Sequence, residues 1–288
     1  MIPTRREWIQ TLLATGAAIS AGTSSYGAEE QVKVALLESV FAGQDRAKIL
    51  EQIKPFAEII KKETGTPAQF DVLSFEQMEK EFKAGTTQLV ILSGLEYGWM
   101  RSSNTDAKAL LIASIDPGAT KTVVAVKQDD AAREVKELAG ANVAVPDRIP
   151  FISQYCLSKV LGQPHDKAFK MVKPGDVDET LEAVLDGKAR GAIVTGAGME
   201  VFRERKPGRF RKLKALYSSV DFPATTVMYS DKISDKAALE KFKEALIKSN
   251  EKPEGARVLT LYKLKGFEQL PTGFDEQALA VAKEFPKQ

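Results

Sequence analysis

Few side chains in this sequence are of the kinds that make or break bonds. There is one histidine, His165, and one cysteine, Cys156. One cysteine closes no intramolecular disulfide, and one thiol with one imidazole builds neither a thiolate cluster nor a histidine-rich metal site. An imidazole-based acid–base scheme has only His165 to draw on. That residue stands beside Asp166, between a helix end and the next element, where a solvent-facing histidine is expected. Cys156 lies inside an amphipathic stretch and reads as a small buried apolar residue. No catalytic residue, cofactor or metal ligand is assigned.

What the sequence offers instead is polar groups suited to holding a small molecule. Ser93, Gly94 and Tyr97 follow a buried-type strand at a helix start, where N–H and hydroxyl groups suit polar ligand atoms. Ser39 and Phe41 follow the first strand in the same way. Thr195-Gly196-Ala197-Gly198 is another strand-to-helix turn, and its glycines allow close backbone approach. It is not a dinucleotide fingerprint, because Val201 stands where the third glycine is required. A P-loop before Lys121-Thr122 is excluded in the same manner by Thr120. Arg148 carries a guanidinium able to grip a carboxylate, sulfonate or phosphate bidentately, or else it is a surface arginine paired with Asp147. Pro150 beside it removes one amide, which argues against an anion nest made of amides alone. Phe151 and Tyr155 are either a stacking wall or plain core.

The elements that must position these groups alternate. Val32–Leu37 is β-rich, and Asp45 caps a helix with Ile49, Ile53, Phe56, Ile59 and Ile60 at helical spacing, where Pro55 predicts a kink. Phe70–Leu73 is a strand, followed by a helix capped at Ser74 and closed by Gly85. Leu89–Leu92 is a third strand. Strand, helix, strand, helix, strand predicts a parallel sheet covered on its faces. Strands over Leu110–Ile115 and Thr122–Lys127 flank the Asp116-Pro117-Gly118 turn. A second series follows: a short helix Ala132–Leu138, strand Asn142–Val145, helix Phe151–Leu161, a helix capped by Asp176 or Asp178, and strands Ala192–Val194, Leu213–Tyr217 and Thr225–Tyr229. Helices over Ala237–Ser249 and around Glu276–Phe285 close the chain.

The 288 residues suffice for two lobes with cores of their own, and 43% hydrophobic with 28% charged is an ordinary globular balance. A net charge of +2 argues against nucleic acid or an anionic membrane as partner. The basic run Arg203–Lys212 reads as a solvated helix end and loop. At the N-terminus, Arg5-Arg6 precedes a short, mildly apolar stretch free of acidic residues, and cleavage after Gly27 leaves small residues at Ser25 and Gly27. Residues 1–27 therefore read as a signal peptide, the paired arginines resembling the twin-arginine export motif, with Sec export as the alternative. The stretch is shorter than the about 20 apolar residues of a membrane span, and no cysteine follows it for a lipid anchor. A periplasmic protein with no inserted segment after cleavage is expected.

The order of segments resembles the periplasmic phosphate/phosphonate-binding proteins of ABC importers. Val34-Ala35-Leu36-Leu37 with its loop carries the resemblance, as do Phe82-Lys83-Ala84-Gly85 before Leu89–Gly94, and Tyr97 where the family often has a tyrosine. Leu138-Ala139-Gly140-Ala141-Asn142-Val143-Ala144-Val145, Thr180–Val194, Ser218 and Phe222-Pro223 carry it further. The resemblance implies an α/β, two-lobed type II periplasmic binding protein fold with a ligand cleft between the lobes. It places Arg148, Phe151 and Ser153 at the start of a second-lobe helix where the family holds its ligand. Arg148-Ile149-Pro150-Phe151-Ile152-Ser153 replaces the Ser/Thr-rich turn of phosphonate binders, and Arg190-Gly191 replaces an expected aspartate. The scaffold carries over, and the phosphonate specificity does not.

The lobes are expected over residues 28–118 with 222–288, and over 119–221. The function expected is capture of a small anionic ligand by lobe closure and delivery to the membrane permease of an ABC importer. A sensory module reporting to a membrane partner is the alternative from another class. An exported α/β enzyme is the third, and the sequence supplies no nucleophile-and-base pair for it. Candidate ligand contacts are Ser39, Phe41, Ser93, Gly94, Tyr97, Arg148, Phe151, Ser153, Thr195 and Ser218.

Overall fold

A computed structural model describes residues 32–41, 45–147, 150–233, 235–261 and 264–287. Residues 1–27, expected from the sequence to be a signal peptide, and Arg148 lie outside the described residues. In chain order the elements begin with β1 (Val32–Leu37), α1 (Arg46–Thr64), β2 (Ala68–Leu73), α2 (Phe75–Ala84), β3 (Leu89–Leu92), α3 (Gly94–Ser103) and β4 (Ala107–Ser114). They continue as β5 (Thr122–Lys127), β6 (Asn142–Pro146), α4 (Phe151–Leu161), β7 (Lys170–Gly175), α5 (Val177–Leu185), β8 (Gly191–Thr195), α6 (Gly196–Arg205) and β9 (Leu213–Ser218). The last are β10 (Thr226–Ser230), α7 (Lys236–Ile247), α8 (Pro253–Leu261), β11 (Gly266–Glu268) and α9 (Phe274–Glu284).

Local chemistry accounts for most of these boundaries. Asp45 caps α1 by accepting from Lys48 N at 3.1 Å, and Ser74 with Gln77 forms a capping box on α2. α1 runs on through Pro55, which removes one amide bond without ending the helix. Gly65 and Gly85 end α1 and α2 at φ 74° and 73°, backbone that a β-carbon disfavours. The segment predicted as a helix over Ala132–Leu138 is only a 3-10 turn, Val135–Leu138. α8 and β11 were not expected from the sequence; α8 starts at Pro253 and carries Gly255 inside it.

Two mixed sheets result. A six-stranded sheet runs β11-β4-β10-β3-β1-β2 and a five-stranded sheet runs β7-β6-β8-β5-β9. The strand–helix alternation did produce parallel pairing of β1 with β2 and β3, and of β6 with β7 and β8. Each sheet is nevertheless mixed, because β10 enters antiparallel between β3 and β4, and β5 lies antiparallel to β8 and β9. Both inserted strands directly follow a crossing between the sheets.

Each sheet is buried on both faces, with alternate residues of one strand in different cores. Val34 packs with Phe56 and Ile60 of α1, Leu239 and Phe242 of α7 and Val258 of α8, whereas Ala35 and Leu37 pack with α2, α3 and α9 through Met78, Phe82, Met100 and Phe274. The second sheet is covered by α5 and α6 on one side (Leu181, Val184, Phe202) and by α4 and the 3-10 turn on the other (Leu157, Leu138). This is a two-lobed α/β architecture, one lobe per sheet.

The lobes touch in two places. The crossings run side by side: Ser219 N donates to Thr122 O at 2.9 Å, and Thr122 N donates to Ser219 Oγ at 2.9 Å. The Thr120 hydroxyl lies 2.6 Å from both Asp221 Oδ1 and Phe222 O, which share its proton. Beside them is an apolar cluster from both lobes, in which Trp99 stands 5.4 Å from Tyr155 and 6.4 Å from Phe151, ring to ring. The segment after α9 ties this cluster down. Trp99 Nε1 donates to Phe285 O at 2.7 Å, Tyr155 donates its hydroxyl to Pro286 O, and Lys159 sits over the Phe285 ring.

Gly94 opens α3 against the returning crossing, where an added β-carbon would stand 2.3 Å from Pro223 O. Glycine here is a requirement of close approach, not of ligand access. In an ordinary helix Gly→Ala gains about 0.5–1 kcal/mol. Gly94→Ala should instead cost about 1–3 kcal/mol, the range for forced overpacking. A urea-unfolding midpoint equal to or above that of the wild type would contradict this packing.

Candidate functional site

Between the two sheets lies a cavity of about 590 Å³. Its polar lining comes from strand ends and helix starts (Ser39, Ser93, Ser153, Asp176, Asp178 and Thr195), from the crossings (Asp116, Thr120 and Thr225) and from Arg205 at the end of α6. Four helices open on it, α3 after Ser93, α4 after Pro150, α5 after Asp176 and α6 after Thr195. Helix N-termini present orphan N–H groups and a positive dipole end, so such a ring favours negative charge.

Three of the four are already satisfied by their own side chains. Ser93 Oγ accepts from Glu96 N at 3.3 Å, Asp176 Oδ1 from Glu179 N at 2.8 Å and Thr195 Oγ1 from Gly198 N at 3.1 Å. α4 differs, because Pro150 has no side-chain acceptor to offer. Helical geometry leaves the amides of Phe151, Ile152 and Ser153 without acceptors within the helix. Pro150 occupies the cap position and has no N–H, so one of the four orphan amides is missing as expected, and three follow it.

Behind Ser39 and Ser93 lies the buried carboxyl of Glu96, which is not itself among the lining residues and was not expected from the sequence. Glu96 is 2% exposed, and its Oε2 accepts from Ser93 Oγ at 2.6 Å, Ser39 Oγ at 2.8 Å and Ser93 N at 3.1 Å. The spacing Ser93-Gly94-Leu95-Glu96 is a readable capping box. The bond from Ser39 was not readable, since it joins the segment after β1 to the first turn of α3, 57 positions away. Burial holds the Glu96 carboxyl above the usual carboxylate range, although these donors pull the other way. Both serine protons point at Glu96, so the ring of Ser39 and Ser93 presents acceptor oxygens to the cavity.

Ser39, Phe41, Ser93, Phe151, Ser153 and Thr195 all line the cavity. Ser153 is 2% exposed and bonded to Thr122 Oγ1 at 2.9 Å, which fixes it on the crossing. Gly94, Tyr97 and Ser218 are not among its lining residues. Tyr97 is fully buried behind the site: its hydroxyl donates to Asp275 Oδ1 at 2.7 Å and accepts from Ala109 N at 3.1 Å. Burial, and next its bond to Asp275, push that phenol far above its ordinary range. Ser218 is exposed at the end of β9. In the turn after β8 the close approach is made to the chain itself, Ala197 N donating to Gly118 O at 3.1 Å.

The cationic groups here are paired. Arg205 lies 3.3 Å from Asp178, and Lys206 reaches Glu182 at 3.1 Å. Arg209 bonds Glu182 and Asp186, so much of the basic run is neutralised by α5. Arg190, in place of the family's aspartate, grips Asp130 at 3.0 and 3.1 Å, away from the cavity lining. His165 is half-buried, not solvent-facing, and burial lowers its pKa. Among the described residues no three His, Cys, Asp or Glu side chains are grouped to hold a metal ion.

The Glu96 environment fixes a pH dependence. A carboxyl held above its ordinary range in the folded state contributes stability that is fully present below the unfolded-state pKa and is lost as pH rises through the raised one. Glu96→Gln keeps an acceptor and cannot ionise. Urea midpoints should therefore shift in favour of Glu96→Gln as pH rises from about 4 to 8. Parallel pH profiles for the two proteins would show that Glu96 does not titrate in this way.

The family described as "ABC transporter, phosphonate, periplasmic substrate-binding protein" matches residues 39–271. No curated protein sequence matches the chain. Among solved structures, PhnD1 of Prochlorococcus marinus in complex with methylphosphonate superposes with a TM-score of 0.56 at 13% identity, over 90% of this chain and 100% of that one. A Xanthomonas citri protein bound to ATP gives 0.56 at 12%, over 89% and 99% of the two chains. A binding component of a Pseudomonas aeruginosa ABC phosphonate transporter gives 0.53 at 12%, over 85% and 83%. At these identities the structures share a fold, and the match over most of the sequence settles kinship: the chain belongs to the periplasmic substrate-binding proteins of the phosphonate ABC transporter family.

Proposed function

We propose that this chain captures a small ligand with an anionic head by closing its lobes on it, and delivers the ligand to the membrane permease of an ABC importer. The observation that carries the reading is the α4 N-terminus, opening uncapped on a cavity that both lobes line. A ligand touching both walls favours the closed arrangement, the requirement for any capture by closure. The amides of Phe151, Ile152 and Ser153 supply donors, with Arg148 in the loop before them. Ser39, Ser93 and Thr195 supply acceptors for a protonated or donor-bearing part of the ligand.

The lobe limits fitting this reading are residues 28–118 with 222–288, and 119–221. The family is one of binding proteins, and we assign the chain no catalysis. Residues 1–27 act as a signal peptide, with Arg5-Arg6 directing twin-arginine export to the periplasm. Among the described residues no helix is long and apolar enough to cross a membrane.

The test is a thermal-shift screen of small phosphonates, phosphates, sulfonates and carboxylates, with each hit also followed for turnover. Calorimetry on the tightest anion then compares Arg148→Ala with the wild type. A charge-assisted bond contributes about 1.5–3 kcal/mol, so the variant should bind at least about tenfold more weakly. Equal affinity would remove Arg148 from the site, and catalytic consumption of a hit would overturn the binding-protein reading.

A further inference from the structure

We propose that the ligand is an amphiphile, whose anionic head sits between the lobes while an unbranched apolar tail lies in an arm of the cavity inside the first lobe. This deepens the reading above and rests on it. A one-carbon phosphonate leaves most of the cavity unused: at about 30 Å³ per liquid water, the space of about 590 Å³ equals roughly twenty waters.

Part of that space is lined by apolar side chains alone. From the polar rim the cavity runs under the six-stranded sheet, between Ile53 and Phe56 of α1, Phe70 and Ile91 on the sheet, and Leu259 and Phe267 beyond. None of these six side chains can hydrogen-bond, so water held there would lack the partners that retain it. Close-packed interiors leave few voids larger than one water. An ordinary core does not account for this arm.

Ile91 shows that the gap belongs to the sheet. It is paired on both sides, with Leu36 of β1 and Val227 of β10. Those partners are 2% and 0% exposed. Ile91 itself, on an interior strand, stays partly accessible and lines the cavity. Phe70 is partly accessible in the same way, on the far side of β1. The arm also starts where the head is held. Ser93 lies two residues beyond Ile91, and in a strand that spacing puts both on one face, about 7 Å apart. A ligand with its head at the rim would therefore pass its tail directly over Ile91.

The experiment is calorimetry of the whole chain with methyl-, butyl- and octylphosphonate, and with octan-1-ol as a headless control. Affinity should rise by about fourfold per methylene while the tail stays within the arm, and octan-1-ol should bind far more weakly than octylphosphonate. Ile91→Trp should fill the arm and abolish the advantage of octyl over methyl. Phe70→Trp, on the edge strand, provides the same test if Ile91→Trp fails to melt cooperatively. Methylphosphonate binding with no gain along the series would overturn the amphiphile and leave anion capture standing. Octan-1-ol binding as tightly as octylphosphonate would overturn the anionic head. No binding by any phosphonate would overturn both.

Discussion

Thr120 and Thr122 hold the two crossings together, and the position of the cavity follows from that junction. The Thr122–Ser219 bonds pair the outgoing and returning chains, and the Thr120 proton is shared by Asp221 and Phe222. Because the crossings leave and return side by side, the ends of β1, β3, β6 and β8 are brought toward one another, with their helix starts between them. Ser153 is drawn into this junction through Thr122. The cavity wall and the crossing are thus one hydrogen-bonded unit, and movement of one lobe shifts donors and acceptors together.

The aromatic cluster sets a second condition. Trp99 and Phe75 come from the first lobe, Phe151 and Tyr155 from the second, and Phe285 closes over them from the end of α9. Aromatic side chains are worth most when fully packed. Lobe rotation that separated Trp99 from Tyr155 would expose them, so motion conserving this contact is favoured. Phe151 belongs to both structures, lining the cavity and touching Trp99 at once. The two readings of that residue, wall or core, were not alternatives.

Local rules made much of this legible. Asp45, Ser74, Gly65 and Gly85 mark helix ends by mechanisms confined to a few residues, and the structure uses all four. The cavity lining at Ser39, Ser93 and Thr195 was readable because strand ends and helix starts leave signatures. What failed were questions of partnership across the chain. Tyr97 sits at a helix start like a ligand contact, yet Asp275, 178 positions away, takes its hydroxyl proton. Gly94 looked like room for a ligand and is room for Pro223. α8 was missed because Gly255 argues against a helix locally and Pro253 marks only its start, while its packing on α1 supports one.

The placement of β10 bears on how the chain matures. β3 and β4 are neighbours in sequence but not in the sheet, since β10 separates them. Until Thr226–Ser230 arrives, each presents a bare edge of unpaired amides and carbonyls flanked by apolar side chains. The five-stranded sheet draws all its strands from one continuous stretch, β5 to β9, and can close by itself. The lobe begun first is therefore finished last, its long-range pairing waiting on about a hundred intervening residues. During that interval the nascent chain is most exposed to strand-to-strand aggregation, and a holding chaperone would find its target at β3 and β4.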